Sequence, residues 1–319
     1  MSTNPTAPQA DAKNLFVSKD PARDRIRLIK DTAARLAVSG AFLLAMIPLV
    51  SLIWTVIAKG RLRLGASFLT SDMVGVFGGL VKGGIAHAIV GTLLITLLAT
   101  LISAPIGVFT AIYLVEYGRG NLLAKATTFF VDVMTGIPSI VAGLFSAALF
   151  TIAVGSGYRA GVMGALALSI LMVPTVVSSS EEMLRLVPNE LREAAYALGV
   201  PKWRTIVKVV LRTSAAGLTT SIMLALARVI GETAPLLITV GFIEKMNANP
   251  IVGRMTTLPV YVYRQYSQGV ATCRAGAANC VPTINEERAW SAALVLIVLV
   301  MILNVIARVI AKAFAPKGR

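Results

Sequence analysis

The sequence of 319 residues is poor in charge, with 14% charged residues, one histidine and two cysteines. So few histidines and cysteines do not favour a metal site built from these ligands. A soluble domain of this size carries about 25% charged residues. Here 56% of the residues are hydrophobic and the mean hydropathy is +0.78. The composition therefore indicates a polytopic membrane protein.

Long apolar runs take the place of the missing charge. Only helices and closed barrels span a bilayer, and these runs are longer than the roughly 10-residue alternating segments of a barrel. We therefore predict an all-α polytopic membrane protein. Pro105 is expected to kink or end the second span. Six transmembrane helices are predicted, at about 36–58, 84–115, 126–152, 160–180, 214–242 and 290–311.

The net charge of +15 comes from 30 Lys and Arg residues, most of which flank the predicted spans. Nineteen fall on the side that carries both termini, ten fall on the other side, and the last is Arg228. This bias places both termini in the cytoplasm and favours contacts with the lipid bilayer over nucleic acid. The predicted parts are an N-terminal arm 1–35, partly disordered, a transmembrane domain 36–312 with its core at about 80–312, and a tail 313–319.

Two loops of this topology are long, an inner loop at 181–212 and an outer loop at 243–289. The outer loop holds Cys273 and Cys280, and that side is oxidising if the protein lies in a bacterial cytoplasmic membrane. A disulfide between them is possible, and two free thiols are the alternative.

The inner loop contains signals for a short helix at 189–199. Pro188 and Asn189 can start it, while Gly199 suits the left-handed residue after a helix and Pro201 prevents continuation. The helix fits docking to a soluble partner, and a solvated helix without a partner is the alternative. Its apolar face is predicted from helical spacing to comprise Leu191, Ala194, Ala195 and Leu198.

Ionisable residues inside the predicted spans are few. Arg228 and Glu232 lie four residues apart, on one helix face. They can neutralise each other until Arg228, whose planar guanidinium suits oxyanions, exchanges Glu232 for a substrate oxygen. The alternative is a permanent ion pair that fixes helix packing. Asp132 is interpreted as a structural or loop-anchoring group and not as a ligand, and His87 as a wetted residue at a span edge.

Two prolines predict irregular helices in the spans. Pro235 removes the backbone bond to the Gly231 carbonyl, so a bend is expected there, next to Thr233. Gly231 leaves room for a neighbouring helix or a ligand. Pro138 interrupts the third span, and a helix restart would present free N–H groups near Ser139 to an anion. An ordinary proline kink is the alternative.

The stretch "EAAYALG", from Glu193 to Gly199, resembles the EAA loop of type I ABC importer permeases. The resemblance implies the fold of that family (MetI-like) and an ATPase coupling role for Glu193, Ala194, Ala195 and Gly199. The general family pattern ends in a Leu-Pro pair, whereas Leu211 here is followed by Arg212. The exit from the loop therefore departs from the pattern.

Three further stretches resemble the phosphate-specific (Pst) branch, and its PstA-type subunits: "GIPSIVAGLF" (136–145), "RVIGETAPLL" (228–237) and "LPVYVYRQYS" (258–267). The resemblance covers roughly residues 80–310. It implies inorganic phosphate as substrate, a PstC-type permease in a heterodimer, a PstB-type ATPase dimer and a PstS-type phosphate-binding protein. No cofactor is implied. The expected substrate pathway comprises Arg228, Glu232, Thr233 and Ser139.

Other functions remain to be weighed. The chain has no G-x-x-x-x-G-K-[ST] phosphate loop, so a partner must hydrolyse ATP and the subunit itself is not expected to be an enzyme. An intramembrane hydrolase would need a catalytic set that two acids and one arginine do not provide. A permease for sulfate or molybdate is a close alternative. A passive anion channel or scaffold is another, although it predicts no docking helix.

Overall fold

A computed structural model of the chain describes residues 21–118, 120–273 and 279–314. The predicted disorder up to about residue 20 and the tail 315–319 lie outside these ranges. Within them all regular structure is helical, apart from one isolated β-bridge between Leu80 and Cys280. The all-α prediction is confirmed.

Twelve α-helices follow one another within the described ranges. A π-helical turn, Tyr113–Tyr117, extends α3, and a second, Ile206–Val210, joins α8 to α9. The helices are α1 (Pro21–Gly60), α2 (Ala66–Thr70), α3 (Ala86–Ile112), α4 (Leu122–Thr135), α5 (Ser139–Val154), α6 (Gly161–Arg185), α7 (Asn189–Ala197), α8 (Lys202–Thr205), α9 (Leu211–Val229), α10 (Ala234–Thr239), α11 (Leu258–Ser267) and α12 (Ile284–Phe314).

Five helical segments of the described chain are long and apolar enough to cross a membrane, and the bent pair α4–α5 makes up to six. The two members of that pair are bent by 107°. The first four predicted spans therefore correspond to α1, α3, the broken α4–α5 pair and α6, and the last corresponds to α12. The fifth differs, because α9 ends at Val229 and a separate helix, α10, follows.

The chain forms two compact units, Met1–Thr55 and Val56–Arg319. In the first, α1 begins at Pro21, fifteen residues before the predicted start of the span. Its apolar side chains, such as Leu43 and Trp54, are exposed. Such a surface is the kind that hydrocarbon covers.

Helix α6 lies at the centre of the second unit. Two thirds (67%) of its most apolar stretch is buried, against 6% for α12. Leu168, Met172 and Val176 of α6 form a core with residues of α3, α9 and α10. A Cβ atom on Gly107 of α3 would lie 2.6 Å from Val176 Cγ1, so glycine permits this close helix contact.

Two expectations concern α3. Of the two alternatives for Pro105, an end of the helix is excluded, because α3 continues to Ile112 and into the π-helical turn. The expectation of a wetted His87 is wrong: it is 1% exposed, and its ring centroid lies 5.7 Å from that of Tyr261. The segment before α3 folds over the start of the helix, with Ile85 donating to the carbonyl of Phe68, and this excludes water from His87.

Candidate functional site

The first break in the bundle separates α4 from α5. Helix α5 begins at Ser139 directly after Pro138, and no side chain caps its N-terminus. With a bend of 107°, the structure forms the helix restart and not the ordinary proline kink. Ser139 is half-buried, and Pro138 is exposed. Val141 and Ala142 donate to the carbonyl of Pro138. Only the amides of Ser139 and Ile140 have no acceptor in the described chain and are available to an anion.

The second break separates α9 from α10. The Glu232 amide donates to the carbonyl of Val229, and α10 then starts with Pro235 in its first turn. There a missing N–H costs little, so Pro235 begins a helix and does not bend a continuous one. Of the two alternatives for Gly231, no helix of the described chain lies close to it, because a Cβ atom there would meet no atom within 4 Å. Room for a ligand stays a prediction.

Helix α10 brings the two breaks side by side. A Cβ atom on Gly143 of α5 would lie 2.7 Å from Pro235 Cα, and one on Gly164 of α6 would lie 3.0 Å from Leu236 Cδ2. Glycine at both positions lets α10 lie against α5 and α6 at once. The first two turns of α5 therefore lie against the first turn of α10, which follows the second break.

Arg228 lies next to the second break, without a carboxylate partner. Its side chain is exposed, and Nη1 donates to Thr175 Oγ1 at 3.0 Å. In the described chain no ion pair joins Arg228 to Glu232, so the expected mutual neutralisation is not formed. The reason is local: α9 ends at Val229, and the four-residue spacing then no longer places the two side chains on one helix face.

The remaining predicted residues near the two breaks are placed as follows. Glu232 and Thr233 are half-buried, and Thr233 precedes α10 without capping it. Asp132 lies exposed in the last turn of α4, where it lines a cavity of about 860 Å³ together with Lys125 and Arg185. Its carboxylate makes no ion pair with a described residue, so the expected anchoring role gains no support.

Helix α7 forms where the loop signals predicted it, and Gly199 follows with φ +77°. Glu193 and Ala194 are exposed, whereas Ala195 is buried. The predicted apolar face is divided, because Leu191 and Leu198 are 42% and 83% exposed. Apolar side chains of α7 therefore face away from the rest of the chain.

A buried ion pair holds α7 to the bundle, and sequence reasoning missed it. Arg192 Nη2 lies 2.9 Å from Glu116 Oε1, with the two side chains 8% and 5% exposed. Arg192 also donates to the carbonyls of Val187 and Leu184, and Lys202 Nζ donates to the carbonyl of Glu116. The partners are 76 residues apart in sequence, so no local pattern could have indicated the pair.

At the opposite end of the second unit, a disulfide joins Cys273 and Cys280. A Cβ atom on Gly79 would lie 2.8 Å from Cys273 Sγ. Gly79 also accepts a backbone bond from Val281. The disulfide therefore packs against the segment that precedes α3.

The second unit combines two helix breaks, the buried Arg192–Glu116 ion pair and the projecting helix α7. These features define the class of the protein as a helical membrane permease. Solved structures support the fold. The chain is similar, with a TM-score of 0.60 and 12% identity, to a chain of a bacterial alginate ABC transporter crystallised with its alginate-bound periplasmic protein. The match covers 92% of this chain and 98% of the other. The fold is therefore that of ABC importer permeases.

Sequence comparisons then give the family. Residues 103–319 match the family described as binding-protein-dependent transport system inner membrane component, and the chain belongs to that family. It is 43% identical over 285 residues to "Phosphate transport system permease protein PstA 1" of Mycobacterium tuberculosis (strain CDC 1551 / Oshkosh), covering 89% of each chain. It is 40% identical over 236 residues to the PstA protein of Yersinia pestis, covering 74% of each.

Proposed function

We propose that this chain is the PstA-type permease subunit of an ATP-driven importer of inorganic phosphate in the bacterial inner membrane. The observation that carries the proposal is Arg228, a cation without a carboxylate partner next to the second helix break. Relatives named as phosphate permeases support the choice of anion. Both termini lie in the cytoplasm in this proposal, following the distribution of Lys and Arg.

In the proposed pathway the phosphate passes Arg228 and the start of α5. The Arg228 guanidinium donates only to a neutral group, the hydroxyl of Thr175. A phosphate oxygen can replace that hydroxyl without leaving a buried carboxylate unpaired. Ser139 and the N–H groups around it add donors from the other break. Glu232 and Thr233 line the approach from α10, and Glu232 limits how tightly the anion is held.

Helix α7 couples this pathway to ATP hydrolysis by a separate PstB-type ATPase dimer. Exposed Glu193 and Ala194 lie on the free side of the helix, which is available to a groove on the ATPase. On the opposite side the Arg192–Glu116 pair ties the helix to the end of α3. A push on α7 is therefore transmitted into the bundle. A PstC-type permease and a PstS-type phosphate-binding protein complete the assembly.

Reconstitution of this chain with those three partners in vesicles tests the proposal. We expect ATP-dependent uptake of radioactive phosphate that excess sulfate or molybdate does not compete away. A complex with a hydrolysis-deficient ATPase is the control for coupling. Uptake of sulfate or molybdate in preference to phosphate would show that another oxyanion is the substrate. Uptake without ATP would show that the subunit works as a passive channel.

A further inference from the structure

A second basic site lies away from Arg228. A cavity of about 570 Å³ is lined by three arginines, Arg159, Arg254 and Arg264. It lies at the end of the bundle opposite α7, because Arg159 directly precedes the start of α6 whereas α7 follows the end of that helix. In the sequence these three arginines are only charges of the loops between predicted spans.

The side chains of two of the arginines, Arg159 and Arg254, pass close to Gly241. Gly241 has φ +71° and follows α10, and a Cβ atom on it would lie 3.3 Å from both Arg159 Cδ and Arg254 Cδ. The two Cδ atoms are therefore at most twice that distance apart. Any other residue at 241 would be strained at this φ and would crowd both arginines.

Backbone bonds fix the loop that carries Arg254. Val162 of α6 donates to the carbonyl of Pro250, and Met255 donates to the carbonyl of Val240. Asn247 Nδ2 donates to the carbonyl of Arg254 itself. The arginine thus projects from a supported loop, and its position relative to α6 and α10 is set by main-chain contacts.

The third arginine is held by an aromatic ring. Arg264 Cζ lies 3.9 Å from the ring centroid of Phe242, a contact that keeps the charge in place without cancelling it. None of the three arginines forms an ion pair with a described residue. No acidic side chain lines the cavity. Glu244 lines only a neighbouring cavity that shares Phe242 and Gln268 with this one.

Neutral donors complete the lining. Tyr263, Ser267 and Gln268 supply hydroxyl and amide groups beside the guanidinium groups. Planar guanidinium forks bind the oxygens of an oxyanion in pairs. The cavity volume of about 570 Å³ leaves room for such an anion with part of its water shell.

We propose that this arginine cavity is an oxyanion-binding station that the anion occupies before it reaches Arg228. The inference rests on the proposed function for the direction of transport. Helix α10 lies between the two places along the chain: it begins at Ala234 after the second break, and Gly241, which lines the cavity, follows its end. Its six residues span about 9 Å along the helix axis.

The test uses the reconstituted complex carrying Arg228→Ala, so that the known candidate site is removed. Binding of radioactive phosphate is measured without the binding protein, by equilibrium dialysis. We expect phosphate binding to persist in this background. Replacing Arg159, Arg254 and Arg264 together by Gln should weaken it at least about tenfold, since each lost charge-assisted bond contributes about that factor. Replacement by Lys should weaken it less.

Arg61→Gln is the matched control, because Arg61 is exposed and its side chain makes no hydrogen bond or ion pair in the described chain. Gel filtration checks assembly of every variant. Unchanged phosphate binding in the triple Gln variant would overturn the station. If the triple Gln variant lost only affinity for the phosphate-binding protein, the arginines would instead bind acidic side chains of that protein.

The experiment distinguishes a failure of the proposed function from a failure of the proposed oxyanion-binding station. If the complex with Arg228 intact takes up no phosphate, the proposed function fails, whereas loss of phosphate binding in the triple variant still supports the station. If uptake is normal but the triple Gln variant keeps full binding and full uptake, the station fails and the proposed function stands.

Discussion

Two groups of arginines lie in the second unit, one beside α7 and one beside α10. Arg192 is buried against Glu116, and Arg185 lies 2.6 Å from Glu181 in the last turn of α6. Arg228, Arg159 and Arg254 have no carboxylate within ion-pair distance among the described residues. The buried Arg192 fixes structure, whereas the second group leaves charge available for an anion.

This difference separates effects on stability from effects on transport. Breaking a buried ion pair strands the remaining charge and costs about 3–5 kcal/mol. Removing an exposed arginine that holds only a hydroxyl strands no charge. The following changes test the comparison in order of their expected effect on transport.

Arg228→Ala should lower phosphate uptake about 100-fold, because a charge-assisted contact to the anion is lost, while the thermal stability of the complex changes little. Uptake in vesicles and the melting temperature of the purified complex measure the two effects. Arg61→Gln, which removes an exposed charge elsewhere, is the control. Normal uptake by Arg228→Ala would remove this residue from the pathway.

Glu116→Gln should lower the stability of the complex, and phosphate uptake should fall as a consequence. The substitution leaves Arg192 buried without its carboxylate, and we expect a loss of about 3 kcal/mol. A thermal shift assay on the complex measures it, with Glu190→Gln as the control, because Glu190 is exposed on α7, the helix that carries Arg192. A stable Glu116→Gln complex with normal uptake would show that the pair neither fixes α7 nor transmits force.

Glu193→Ala should uncouple the ATPase without lowering stability, since the side chain is exposed on the free face of α7. We expect the stimulation of ATPase activity by the loaded binding protein to fall about tenfold, in keeping with the loss of one contact to a charged group. Glu182→Ala, an exposed acid at the end of α6, is the control. Full stimulation in Glu193→Ala would exclude that face from the coupling contact.

Cys273→Ser should have the smallest effect on transport. The disulfide closes a loop of eight residues and contributes about 2.5 kcal/mol by chain entropy, confined to a segment distant from α7. In the unmodified protein both thiols should resist maleimide labelling until a reductant is added. Ready labelling without reductant would contradict the disulfide.

Much of the helical framework could be predicted from the sequence, because bilayer length and apolar runs determine it. Pro138 marked the first break correctly, since proline opens a helix as readily as it ends one. Pro235 indicated the second break but not its position: α9 already ends at Val229. Nothing in the sequence near Arg23 to Arg35 stops a helix, and α1 therefore begins earlier than its apolar run.

The features of the site that the sequence did not predict share one cause. They involve residues that come into contact only when the chain folds. Glu116 and Arg192 are joined only when α3 and α7 are brought together, and His87 is buried where Tyr261 of α11 and the segment before α3 pack at the start of α3. Arg159 and Arg254 lie on either side of Gly241 but are 95 positions apart in the chain. Spacing along a helix, which predicted the Arg228–Glu232 pair, fails where the helix ends.

The two helix breaks have a consequence for where water must lie. Around Pro138 and Gly231, both exposed, main-chain polar groups lie outside any helical ladder, and hydrocarbon offers them no partner. That flank of the second unit must therefore be wet or covered by protein, whereas the apolar surface of α12 can face lipid. In the proposed assembly the PstC-type subunit would cover this polar surface, because its main-chain groups need protein or water as partners.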